Sequence, residues 1–243
     1  MNPSSARRTV ISVLLKPLAQ TGQLGLYAAI RHPTMARAMG ISRLASDDVT
    51  VASALKEHYA IHGLPADGGA NDPWFRVRLG PVRLRLPNPP TRRRAVLFHD
   101  VNHIATGYNT TFSQGEVAIA AFEVGAGCGR FATVWLINLW GMALGLFCAP
   151  RAVFDAFVRG RRSMSIYREP PARDSFASTT VGEVRRRLGL AAASATSAGS
   201  FDYLSFVLWS LVALTSLVVP AILTGAALWS GLRALARGMG GGI

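Results

Sequence analysis

The stretch Phe98–Glu123, FHDVNHIATGYNTTFSQGEVAIAAFE, decides how the rest of the chain is read. The pattern turns helical at Ala95, Gly107 to Gly115 forms a loop, and an Ala-rich helix opens at Glu116. On a helix, residues four apart lie one above the other, so His99 and His103 point to the same side. Two imidazoles at that spacing can share one divalent ion, zinc or a related metal. Asp100 sits about 100° around the helix, where it can serve as a ligand or steady an imidazole. Glu116 can face back across the pair and complete the set. Glu123, two turns further on the same face, is a weaker candidate. His58 and His62 repeat the HxxxH spacing, but no carboxylate is suitably placed after them. Those two are read as ordinary helix residues.

Upstream, Phe75, Val77 and Leu79 alternate with Arg76 and Arg78, and Val82, Leu84 and Leu86 alternate with Arg83 and Arg85. Period two on both sides of Gly80–Pro81 predicts a small hairpin with one apolar face and one arginine face. That face, formed by Arg76, Arg78, Arg83 and Arg85, is either a solvated exterior or a docking surface for anions or a membrane. Before the hairpin, residues 10–63 read as two or three helices, with Asp47–Asp48 suited to capping the last. The apolar run Val10 to Leu15 is too short for a secretory signal, so none is expected.

Downstream, Phe131 to Pro150 and Leu204 to Leu232 are long uncharged runs. If both crossed a bilayer, the loop Arg151 to Ser200 with its nine arginines would be exported, against the positive-inside rule. One span is therefore expected, at the second run. It would measure roughly 43 Å as a helix, against a ~30 Å hydrocarbon core. It reads as a single tilted helix or a shallow hairpin bent at Pro220. The first run reads as a buried or pocket-lining helix, with Trp135, Leu139 and Met142 facing a lipid. The organisation expected is a helical metal- and lipid-binding domain over 1–190, a small-residue linker over 191–200, and a membrane anchor over 201–243.

Composition agrees with lipid contact. Hydrophobic residues make up 50% of the chain and charged residues 16%, well under the usual quarter for a soluble domain. The 26 basic residues outnumber the 13 acidic ones, and only Lys16 and Lys56 are lysines. No zinc-finger spacing or aromatic-studded basic groove is present, so the charge suits an anionic membrane better than nucleic acid. Cys128 and Cys148 match no CxxC pattern and read as packing residues of a reducing compartment. The fold class expected is all-α, with a small β-hairpin and a C-terminal apolar membrane helix.

With His99, Asp100, His103, Gly107, Thr110, Thr111, Gly115 and Glu116 in this order, Phe98–Glu123 resembles the signature of the coenzyme Q biosynthesis protein 4 family. AFVRGRRSMSIY (156–167) and TTVGEVRRRLGL (179–190) are similar to that family's closing Arg-rich helices. The resemblance covers roughly residues 95–190. Two features depart from it: twelve residues rather than eleven separate His103 from Glu116, and an apolar tail follows residue 200. The resemblance implies a helical fold binding zinc or another divalent ion at His99, Asp100, His103 and Glu116, beside a channel for a polyprenyl chain. It also implies a role in ubiquinone biosynthesis, with other quinone-biosynthesis enzymes as partners, or decarboxylation of a polyprenylated hydroxybenzoate. A lipid-binding scaffold with a structural metal fits the same residues. A membrane di-iron oxygenase using both His pairs is a remote alternative. The charge bias places the bulk of the chain on the cytoplasmic side of a bacterial inner membrane.

Overall fold

Thr50 starts the first described helix, α1 (Val51–His62), by accepting the Ser53 amide on its hydroxyl at 3.3 Å. The expected Asp47–Asp48 cap is not used. The Asp47 carboxylate instead takes Arg185 Nη1 at 2.7 Å, and its carbonyl takes the Gly182 amide. A strongly basic chain with few carboxylates spends this one on tying distant segments together. Gly63, at φ +62°, closes α1 with its amide on the Ala60 carbonyl. These features belong to a computed structural model that describes residues 46–79, 82–195 and 197–240. The remaining helices expected before residue 46 lie outside the described residues.

The hairpin forms as expected, from β1 (Trp74–Leu79) and β2 (Val82–Pro87), with Arg76 opposite Arg85 and Arg78 opposite Arg83. Arg83 and Arg85 are exposed.

Helix α2 (Pro90–Thr106) begins with proline in its first turn, where a missing amide proton costs nothing, and ends at Gly107, φ +78°. A single π-turn, Phe112–Glu116, leads into α3 (Val117–Ala126). From Val117 to Val124 every residue of α3 is buried, so this is the central helix of the core. Close backbone approach to α5 (Pro150–Arg161) explains two glycines: a Cβ on Gly160 would lie 2.0 Å from the Phe122 carbonyl oxygen, and one on Gly125 2.3 Å from that of Phe157. Helix α4 (Ala132–Cys148) packs on α3 from another side. A 3₁₀ turn (Asp174–Ala177) precedes α6 (Val181–Leu188), which opens with a reciprocal Thr180–Glu183 capping box.

The small-residue stretch after α6 is not simply a linker, because Leu190–Ala195 forms a short helix, α7, with Leu190 and Ala193 buried. Its alanines favour helix, and α5 and α6 offer a surface to cover.

Helix α8 (Ser200–Gly240) runs unbroken through Pro220, so the hairpin alternative does not form. Proline removes the amide that would bond to the carbonyl four residues earlier. That carbonyl, Ser216, accepts the Trp140 indole N–H at 3.0 Å instead. The first half of α8 packs on α4 and α5, with Ala213 fully buried and Trp209 stacked on Trp135 at 5.2 Å. Tyr203 likewise stacks on Phe154, so both aromatic rings at this end of the helix meet the domain. From Val218 to Gly231 the helix is exposed throughout. Among the described residues, Ser200–Gly231 is the one helix long and apolar enough to cross a membrane. The protein is all-α with one small hairpin and a C-terminal apolar helix.

Candidate metal centre

Helix α2 carries His99 and His103 on one face, and the π-turn presents Glu116 to them. Nε2 of His103 lies 3.2 Å from Nε2 of His99, and the Glu116 oxygens stand 3.7 Å from the His99 nitrogen and 3.6 Å from the His103 nitrogen. One ligand atom from each residue fits within 4.8 Å of the others. Tetrahedral ligation with metal–nitrogen distances of about 2.0–2.1 Å separates two nitrogens by roughly 3.3 Å. The observed spacing matches.

The imidazole tautomers follow from the opposite ring edges. Nδ1 of His103 donates to the Tyr108 carbonyl at 2.9 Å, and Nδ1 of His99 donates to Glu123 Oε1 at 3.1 Å. Both acceptors are oxygens, so each Nδ1 carries the proton and each Nε2 presents its lone pair. Two lone pairs aimed at each other beside a carboxylate repel unless a cation or proton lies between them.

Glu123 is the hub of the shell behind the ligands. It is buried and also accepts Asn102 Nδ2 and the Tyr167 hydroxyl at 2.8 Å on Oε1, and Asn138 Nδ2 at 2.5 Å on Oε2. Burial works to raise its pKa, but the His99 imidazole and these hydrogen bonds hold it below the ordinary carboxylate value. Burial opposes ionisation of Glu116 in the same way, and His103 and His99 again prevail. For His99, burial disfavours the cation while Glu123 and Glu116 raise the pKa well above the usual imidazole range. Burial and the Glu123 charge push the Tyr167 hydroxyl up, so it stays a donor. Two imidazole nitrogens and one carboxylate thus converge on a point that could hold a metal ion.

Asp100 stands outside this group. Its Oδ2 accepts the Tyr59 hydroxyl at 2.8 Å, and Gly68 lies so close that a Cβ there would sit 2.8 Å from the same oxygen. The rotation from His99 turns Asp100 toward α1, so it locks α1 onto α2. Burial raises its pKa against the pull of His99.

The three residues expected to line a lipid are packing residues. Met142 and Leu139 are buried in the core, and Trp135 is half-buried against Trp209. Cys128 is buried within hydrogen-bonding distance of Asn138, as a packing residue should be, whereas Cys148 is exposed.

Residues that the sequence did not single out as functional complete the site. Asn102, three positions after His99, and Asn138, the one side-chain amide of the α4 run, carried a visible signal. Tyr167 and Tyr108 carried none, because their roles arise from long-range contacts or from a backbone carbonyl.

Compared with protein-family models, curated proteins and solved structures, the chain gives no match.

Proposed function

We propose that this is a membrane-anchored, divalent-metal protein of the coenzyme Q biosynthesis type, acting on a polyprenylated hydroxybenzoate to remove its ring carboxylate. The observation that carries the reading is the convergence of His99 Nε2, His103 Nε2 and Glu116, with both Nδ1 protons already taken by oxygens. The ordered His–Asp–His–Glu motif supplies the quinone part of the reading. The donor set of two nitrogens and one carboxylate fits zinc or a similar ion and leaves a coordination position for a ligand. The ion supplies Lewis acidity toward a bound carboxylate or phenolate.

The chain's own residues do the rest. Glu123 and the Tyr108 carbonyl hold the two rings in register, so the ligand atoms need no reorganisation. The Glu116 and His99 side chains keep 33% and 27% of their surface, so the centre opens outward. This exposure favours a substrate-binding centre over a structural metal in a scaffold, where all positions are filled. The polyprenyl tail is assigned to the bilayer side, where Leu136 and Phe147 of α4 are exposed. The exposed half of α8 provides the anchor, with the helical domain on the cytoplasmic side and other quinone-biosynthesis enzymes as its neighbours.

Metal analysis of the purified protein, with mass spectrometry of its co-extracted lipids, tests the binding half of the proposal. Release of labelled carboxyl carbon from a prenylated hydroxybenzoate tests the reaction. Loss of that release in Glu116→Gln, with metal-replete wild type active, is the expected result. A metal-replete wild type that releases none contradicts the reaction.

A further inference from the structure

Helix α1 brings a second imidazole pair to the edge of the metal centre. His58 and His62 stack with ring centroids 4.5 Å apart at 25°, and His58 lies 6.1 Å from the His103 ring at 27°. Three imidazoles therefore form a near-parallel column that meets His99 edge-on at 4.8 Å. His58 is buried, and Nδ1 of His62 is buried with no hydrogen-bond partner. The charged or titratable groups whose fields reach the two rings are each other, His103, Glu116 and, for His58, His99.

A phenylalanine or leucine would fill this space without leaving a polar atom stranded. A buried, unpartnered nitrogen is costly, so a packing role does not explain His62 here. Neutral imidazole is the form that ligates metals. Glu116 has lone pairs beyond the two aimed at the inner histidines, because a carboxylate offers about four acceptor sites.

We propose that His58 and His62 hold a second divalent cation, which shares the Glu116 carboxylate with the ion at His99 and His103. The inference rests on the inner site through that shared carboxylate. The outer rings lie outside the 4.8 Å ligand group, so they must rotate for their nitrogens to converge. His62 also lacks the kind of orienting partner that Glu123 gives His99. Both features make the outer ion the weaker one. The pair then resembles two-metal centres in which neighbouring ions bind both ends of a reacting group.

The test uses the full chain in detergent, stripped of metal and titrated with Mn²⁺. Bound ion is counted calorimetrically, and spin coupling is read by electron paramagnetic resonance. Wild type should take up about two ions, the second at least tenfold more weakly, with a coupled signal at saturation. His62→Gln and His58→Asn should each bind about one ion and give an uncoupled signal. His62 is only partly buried, so His62→Gln carries the test if His58→Asn fails to fold. Saturation of wild type at one ion overturns the second site, as does a coupled two-ion signal in His62→Gln. Unchanged uptake in His99→Ala overturns the inner site instead, so the two failures are distinguishable.

Discussion

Glu123 Oε1 lies 3.1 Å from Nδ1 of His99, and the same carboxylate accepts from Asn102, Asn138 and Tyr167. One buried side chain thereby fixes the tautomer of a candidate metal ligand and joins α2, α3, α4 and the segment after α5. Glu123→Gln keeps the shape but loses the charge and must turn an amide NH₂ toward at least one donor. Metal affinity should fall about 10- to 100-fold, measured by competition with a chromophoric chelator. Affinity within twofold of wild type would show that Glu123 is structural only.

The π-turn answers how Glu116 reaches the histidines despite one more intervening residue than the family pattern. Amides of Gln114, Gly115 and Glu116 all point to the Thr111 carbonyl, at 3.2, 2.8 and 3.0 Å. A turn closed five residues on holds one residue more than an α-turn, so α3 is not rotated by the surplus. Deleting Ser113 should restore an ordinary turn and leave metal affinity within a few-fold. Inserting a residue after Glu116 should instead turn Ala118, Ala121 and Phe122 off their packing face, costing roughly 1–3 kcal/mol. Denaturant melts and metal titration of both variants check this pair of outcomes.

His58 makes stability depend on pH in metal-free protein. Burial, His62 and His103 push its pKa down to about 3, from 6.5 for a free imidazole. The unfolded chain therefore takes up the proton first as pH falls, and the contribution is fully present above pH 6.5. It is lost progressively between pH 6.5 and about 3. With chelator present, the denaturation midpoint should drop across that window, and His58→Leu should flatten the drop. Parallel wild-type and His58→Leu curves would show that another group controls the decline.

Membrane attachment should divide at Leu217, where α8 leaves the domain. Removing residues 218–243 should release most of the protein while preserving its fold, because the packed half of α8 remains. Removing 201–243 should also uncover Trp135, Phe154 and Phe157 and lower stability. Residual binding of the shorter chain to anionic vesicles should weaken with salt and with Arg83→Ala/Arg85→Ala, at about 1 kcal/mol per arginine near the surface. Vesicle flotation at low and high salt measures it. Salt-independent binding of the shorter chain would move the anchor to α4.

The parts legible in the sequence were those governed by local period and spacing. The Arg-alternating hairpin, the helix beneath His99 and His103, and the long apolar helix at the C-terminus all formed. Linear reading failed where distance in sequence and distance in space part company. His58 and His103 are far apart in the chain, so nothing local reveals that their rings stack. Asp100 looks like a ligand beside His99, yet helix rotation gives it to Tyr59. Tyr203 and Trp209 lie in the long apolar run, yet their rings stack on Phe154 of α5 and Trp135 of α4. Pro220 admits either a tilted helix or a hairpin bend in the sequence, and Trp140 satisfies the carbonyl it frees in the unbroken helix.

Elemental analysis tests most directly whether His99, His103 and Glu116 hold a divalent ion. After dialysis against a weak chelator, wild type should keep about one tightly bound ion per chain. His99→Ala, His103→Ala and Glu116→Ala should each lose it, while His62→Gln keeps it. Full retention of the ion in the first three variants, with circular dichroism showing them folded, would contradict the account.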